Sequence, residues 1–190
     1  PPLDSSSSSS SGSGGGGGAA SSGRMANVGS AMPVFFGMGG ASMSIVLSNI
    51  GAAYGIAYAG KGLAAMGVMY PDAVMKNIVP VVMAGVVGIY GLIISVLISL
   101  AIKVPEIATV DGESIAINVY EWDLGFKHFA AGLTIGLSGI AGGYAIGIVG
   151  DLGQKFVGIR PVLFVPMILI VSFAGAIPLY GLIGAMILTT

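Results

Sequence analysis

Charge is distributed along this chain in a way that few folds can accommodate. No Asp, Glu, Lys or Arg occurs between Arg24 and Lys61, between Lys76 and Lys103, between Lys127 and Asp151, or after Arg160. Each gap exceeds the roughly 20 apolar residues that a helix needs to cross a bilayer core. Four such gaps in 190 residues leave little else. Charged residues make up 8% of the chain and hydrophobic ones 55%, against about 25% charged in soluble domains. So few charges cannot cover a surface facing water, so lipid must be the solvent for much of it. The pattern predicts an all-α membrane protein with four transmembrane helices, at about 34–60, 77–102, 129–150 and 162–188.

The connecting segments suggest an orientation. Loop one carries Lys61, Asp72 and Lys76, and loop three carries Asp151, Lys155 and Arg160. Loop two carries Lys103 and Lys127 against Glu106, Asp111, Glu113, Glu121 and Asp123. Each loop has two basic residues, so the positive-inside rule favours loops one and three as cytoplasmic only through their shortness. Loop two and both termini are then luminal. Tyr120 and Trp122 fall just before helix three, where aromatic rings anchor at the interface, and His128 reads as an interfacial residue rather than a ligand. Residues 1–24 are rich in Ser and Gly. They read as a flexible, dispensable extension, with Met25 a sensible natural start. The domain organisation expected is therefore that extension, a first helical hairpin at 33–103, a luminal loop at 104–127 and a second hairpin at 128–190.

The two hairpins are similar. SNIGAAYGIAYAG at 48–60 lies over SGIAGGYAIGIVG at 138–150, and AGVVGIYGLI at 84–93 lies over AGAIPLYGLI at 174–183. Both matches hold one offset of 90 without a gap, so Tyr54 pairs with Tyr144 and Tyr90 with Tyr180. Chance apolar similarity would not keep one register through both helices of a hairpin. The chain reads as a duplicated hairpin with its repeats in parallel topology. Helices one and three also carry small-residue stripes: Gly132, Gly136, Gly139, Gly143 and Gly147 in helix three, and Gly51 and Gly55 beside Gly40, Ser44, Ser48 and Ala52 in helix one. Small faces let helix backbones approach closely in lipid. The stripes fit either packing within the chain or a ring of copies with helices one and three on its inner circle, and their length in both halves favours the ring.

Several classes of function are excluded. The chain has no cysteine, which removes disulfides, zinc-thiolate sites and iron–sulfur clusters. No metal site, cofactor site or catalytic nucleophile with a base is legible. The glycine spacings lie within apolar spans, where packing explains them better than nucleotide binding. The net charge of −1 argues against nucleic acid as a partner.

The stretches GAAYGIAYAGKGLAAMGVMYPDAVMKNIVPVVMAGVVGIYGLI, GLTIGLSGIAGGYAIGIVGDLGQ and RPVLFVPMILI with LYGLIGAMIL after it resemble the proteolipid, or c, subunit of vacuolar-type (V-type) proton ATPases. The resemblance covers about residues 33–190, apart from the longer and more acidic loop at 104–127. It implies a rotor ring of four-helix subunits, with helices two and four on the outer circle. Its implied partners are other proteolipid subunits, a stator a-type subunit, a central-stalk subunit on the cytoplasmic side and the lipid bilayer. It implies a multi-pass protein of the vacuole or another acidic endomembrane that contributes to proton transport as a non-catalytic subunit.

One position departs from the family. Members carry a glutamate in helix four where this chain reads Ser172-Phe173-Ala174-Gly175-Ala176-Ile177-Pro178-Leu179-Tyr180; the glutamate falls on Gly175. Its repeat mate, Gly85, matches a glycine of the family. A rotor carrier must be neutral facing lipid and ionisable facing water, which a carboxyl achieves because burial raises its pKa toward working pH. Glycine has nothing to titrate, and the hydroxyls of Ser172 and Tyr180 do not ionise usefully near neutral pH. Pro178 removes a helix hydrogen bond beside this position and should kink the helix. The resemblance therefore implies a ring subunit with no proton carrier; the alternative is a non-pumping scaffold or pore-like oligomer of the same hairpins.

Overall fold

A computed structural model describes the backbone at 17–102, 106–110, 113–117 and 120–190, and side chains at 32–102 and 120–190. Four helices dominate: α1 (Gly17–Met69), α2 (Val79–Ala101), α3 (Trp122–Ile159) and α4 (Phe164–Thr189). Each includes a stretch long and apolar enough to cross a membrane. Residues 1–16 of the expected extension lie outside the described residues, and α1 already runs through 17–24. That part of the segment read as flexible is helical, because extending an existing helix needs only one more fixed residue per added bond.

Two helices outrun the charge gaps that foretold them. α1 continues past Lys61 and α3 past Asp151 and Lys155. At about 1.5 Å per residue, the 38 residues of α3 reach about 57 Å, nearly twice a bilayer core. Charge marks where lipid ends, not where helical bonding ends. Asp151 and Lys155 in fact brace the extension as an i,i+4 pair 2.8 Å apart.

What stops both helices is proline. α1 ends at Met69 and α3 at Ile159, each two residues before a proline, Pro71 or Pro161. A residue before proline is pushed out of the helical region; Tyr70 sits at φ −136°, ψ 75° and Arg160 at φ −133°, ψ 98°. Each proline opens a single 3-10 turn, Pro71–Ala73 and Pro161–Leu163. Every one of these landmarks recurs at the offset of 90, so the duplication extends to how the chain turns.

The packing carries the repeat too. α1 and α3 lie against each other; α2 sits beside α1, α4 beside α3, and α2 also touches α3 and α4. Within the first hairpin, a Cβ at Gly91 would meet Ser48 Oγ at 2.5 Å. Within the second, Gly181 lies against Ser138, the repeat mates of that pair. Across the repeats, the rings of Tyr54 and Tyr144 stack with centroids 5.2 Å apart. Two apolar clusters fill the interior, one around Ile94, Ile98, Ala131 and Ile135, the other around Ala84, Val87, Ile146 and Val171.

The segment expected as a plain loop holds secondary structure. β1 (Glu106–Val110) and β2 (Glu113–Ile117) pair antiparallel, with Glu106 opposite Ile117 and Val110 opposite Glu113. Two residues separate the strands, and they are Asp111 and Gly112, the dipeptide preferred in two-residue hairpins.

Candidate functional site

The helix-four stretch singled out from sequence lines an open groove between α2 and α4. Met83, Val86, Val87 and Tyr90 form one wall, and Ser172, Gly175, Ala176 and Leu179 the other, around a volume of about 200 Å³. A Cβ placed on Gly175 would meet no atom within 4 Å. The backbone is thus already shaped to accept a side chain there. A water's share of liquid volume is about 30 Å³, so the groove has room for several heavy atoms. Its walls are apolar apart from the side chains of Tyr90 and Ser172.

The neighbours of Gly175 divide between inside and outside. Phe173 and Tyr180 are exposed at 74% and 70%, on the surface that would face lipid or a neighbouring copy, while Ala174 is buried. Pro178 is buried within α4, where its ring packs onto Gly142 of α3. Any larger residue at 142 would collide with it. The lost N–H at Pro178 leaves the Ala174 carbonyl without its helical donor, and that carbonyl faces α3 near Gly142. α4 is assigned as one helix through this point.

The repeat mates are not equivalent here. Gly85 faces α1, where a Cβ would lie 3.9 Å from Ile56 Cδ1, and it is not among the groove residues. Tyr90 lines the groove, whereas Tyr180 points outward. α2 touches every other helix, whereas α4 touches α2 and α3, so one sequence pattern meets two environments.

The glycine stripes face inward. A Cβ on Gly51 would run into the Gly139 carbonyl, one on Gly143 into the Gly51 carbonyl, and one on Gly132 into the Gly40 carbonyl. A Cβ on Gly55 would lie 2.8 Å from Gly143 O and 2.9 Å from Ala84 Cβ. Gly136 is closed by Leu47 at 2.7 Å, Gly139 by Ser48 Oγ at 3.0 Å and Gly147 by Gly55 Cα at 3.1 Å. All seven therefore serve the α1–α3 contact within one chain. Ser44 adds a hydrogen bond from α1 to α2, its hydroxyl donating to the Gly91 carbonyl at 2.5 Å.

Polar chemistry gathers at the two ends of the bundle. At the end bearing the proline turns, buried Gln154 donates through Nε2 to the Asn77 backbone carbonyl at 2.9 Å, tying the connection between α1 and α2 to α3. At the other end His128, expected at the interface, is 2% exposed. It is held by Tyr120, with Oη 2.5 Å from its Nδ1. Asp123 and Lys127 pair at 2.6 Å on the outside of the same turn. Asp72, Glu121 and Asp123 are exposed near helix ends, and Asp151, two turns inside the end of α3, is paired with Lys155. Among the described residues no group of three His, Cys, Asp or Glu side chains comes together to hold a metal ion.

Comparison with known proteins agrees with this architecture. The family model for the C subunit of ATP synthase matches residues 39–98 and again 129–188, one copy per hairpin at the same offset of 90. The V-type proton ATPase 16 kDa proteolipid subunit of Chrysotila carterae is 52% identical over 138 residues, covering 73% of this chain and 79% of that protein. The corresponding 16 kDa proteolipid of Rattus norvegicus is 51% identical over 156 residues, covering 82% and 92%. That of Nephrops norvegicus is 49% identical over 167 residues, covering 87% and 98%. A duplicated helical hairpin that aligns with these proteins over most of their length belongs to the family of the ATP synthase C subunit, among the V-type proton ATPase proteolipids.

Proposed function

We propose that this chain is a subunit of the membrane rotor ring of a proton-transporting V-type ATPase, and that it occupies its place in the ring without carrying a proton. Its membership among the proteolipid subunits, with both hairpins matched, supports the ring. The groove at Gly175 supports the second half: the space is there, and no ionisable carboxyl or amine lies in the uncharged span around it. An acid within the membrane is a functional site by default, and here the four uncharged spans contain none.

In this reading the chain supplies ring geometry and passes torque, while subunits bearing a carboxyl move protons. Since its own glycines are used in the α1–α3 contact, copies meet through other faces, such as that of Phe173 and Tyr180. The partners are further proteolipid copies, a stator a-type subunit and a central-stalk subunit at the proline-turn end, in a vacuolar or other acidic endomembrane. A ring mixing this chain with acidic copies moves fewer protons per turn. The test is ATP-driven acidification by membranes whose own proteolipid is replaced by this chain, beside the Gly175→Glu variant assembled to the same level. Only the variant should acidify; equal pumping by the natural chain refutes the proposal.

A further inference from the structure

His128 is the one histidine of the chain, and it sits where the ends of α2, α3 and α4 come together against α1. Gly40 of α1 lies against its backbone carbonyl. Tyr120 stands immediately before α3 and is 7% exposed. Its hydroxyl is lodged against Gly37 of α1, with Ile102 at the end of α2 beside it. The end of α4 closes the same space, its Thr189 carbonyl lying beside the imidazole. A carbonyl can only accept, so the arrangement that suits both neighbours turns the imidazole N–H toward Thr189 and has Nδ1, 2.5 Å from Tyr120 Oη, accept the phenol's proton. In this form the neutral ring suits both neighbours, and each contact ties α3 to another segment.

A second proton undoes this arrangement. It occupies Nδ1 and turns the acceptor into a donor, so the Tyr120 oxygen must switch to accepting and its O–H must turn away. Burial pushes the Tyr120 phenol up, so it keeps its proton, and the hydroxyl's other described neighbours, Gly37 and Ile102, offer that O–H no side-chain acceptor. Among the described residues, no carboxylate side chain forms an ion pair with the imidazole. The nearest ionisable groups on α3, Asp123 and Lys127, are exposed and engaged with each other. α1 presents Gly37 and Gly40, the described end of α2 presents Ile102, and α4 presents the Thr189 carbonyl, so these contacts offer no carboxylate side chain. A buried, unpaired charge is expensive.

We infer that Tyr120 and His128 form a proton-operated latch, closed with a neutral imidazole and released when His128 takes up a proton, which loosens the end of the bundle where the four helices meet. That this end faces the acidified compartment rests on the proposed function; the latch itself does not. The test uses the full chain in lipid nanodiscs. Trp122 is the one tryptophan, two residues from Tyr120 and stacked on Phe126 at 6.1 Å, so its emission reports the latch.

As pH falls from 8 to 5, the window in which a histidine takes up its proton, the natural chain should show a reversible shift in emission. His128→Gln keeps an acceptor for the phenol but cannot charge, and should lose the shift while staying at the neutral-pH emission. Tyr120→Phe keeps the ring without the bond, and should sit near the acid-side emission at every pH. A natural chain without a transition, or a transition retained in His128→Gln and so due to Glu121 or Asp123, overturns the inference. Because this readout needs no ring, stalk or ATP, its failure leaves the pumping assignment untouched, and the reverse holds.

Discussion

Adding one methyl group at two glycines separates packing from vacancy. Gly55→Ala puts a Cβ 2.8 Å from Gly143 O and 2.9 Å from Ala84 Cβ. Non-bonded carbon atoms prefer about 3.5–4.0 Å, so α1 must part from α3 and α2 by about 0.6–1 Å. Overpacking of this kind costs about 1–3 kcal/mol, and the displaced contacts lose a quarter to a half of their attraction. Gly175→Ala places the same methyl where nothing lies within 4 Å. There the helical preference of alanine over glycine remains, a gain of up to about 1 kcal/mol. The two variants should differ by about 2 kcal/mol or more, roughly thirtyfold in the unfolding equilibrium. Reversible unfolding in mixed SDS micelles, followed by far-UV circular dichroism, measures it. Equal shifts in the two variants would refute the claim that the glycine stripes bind α1 to α3 while Gly175 borders open space.

Other consequences are smaller in scope. Gln154→Ala removes the donor to the Asn77 carbonyl and should cost about 1–3 kcal/mol, with faster hydrogen exchange across residues 70–79; a cost under about 0.5 kcal/mol would mean that the bond ties nothing down. Asp123→Asn breaks a pair whose side chains are 69% and 50% exposed for Asp123 and Lys127. It should change stability by no more than about 0.5 kcal/mol in the same unfolding assay, and its small effect should shrink further in high salt.

Much of this architecture can be read from the residues, and the parts that cannot share a cause. The uncharged spans reveal four crossings because lipid penalises charge, and the offset of 90 reveals the hairpin repeat because duplication copies sequence. Helix ends are a different matter. They are set by backbone bonding and by Pro71 and Pro161, so α1 and α3 overshoot the spans. The strand pair is signalled by Asp111-Gly112 between alternating residues, but the acidic character of the segment makes it read as loop. His128, close to the anchoring rings of Tyr120 and Trp122, looks interfacial on a linear map, yet the helix buries it against Tyr120. The glycine stripes are visible in the sequence, but not which backbone they touch. The groove needs Tyr90 beside Gly175, a meeting of α2 with α4 that no spacing along the chain encodes.

The central claim is that this chain fits a proton-pumping ring yet has no group with which to carry a proton, and ATP-driven acidification by membranes that hold it as their sole proteolipid tests this most directly. No acidification by the natural chain, with pumping restored by Gly175→Glu at equal assembly, is the predicted result. Pumping by the natural chain at the rate of the variant would contradict the account, since some group other than a carboxyl at 175 would then be moving the proton.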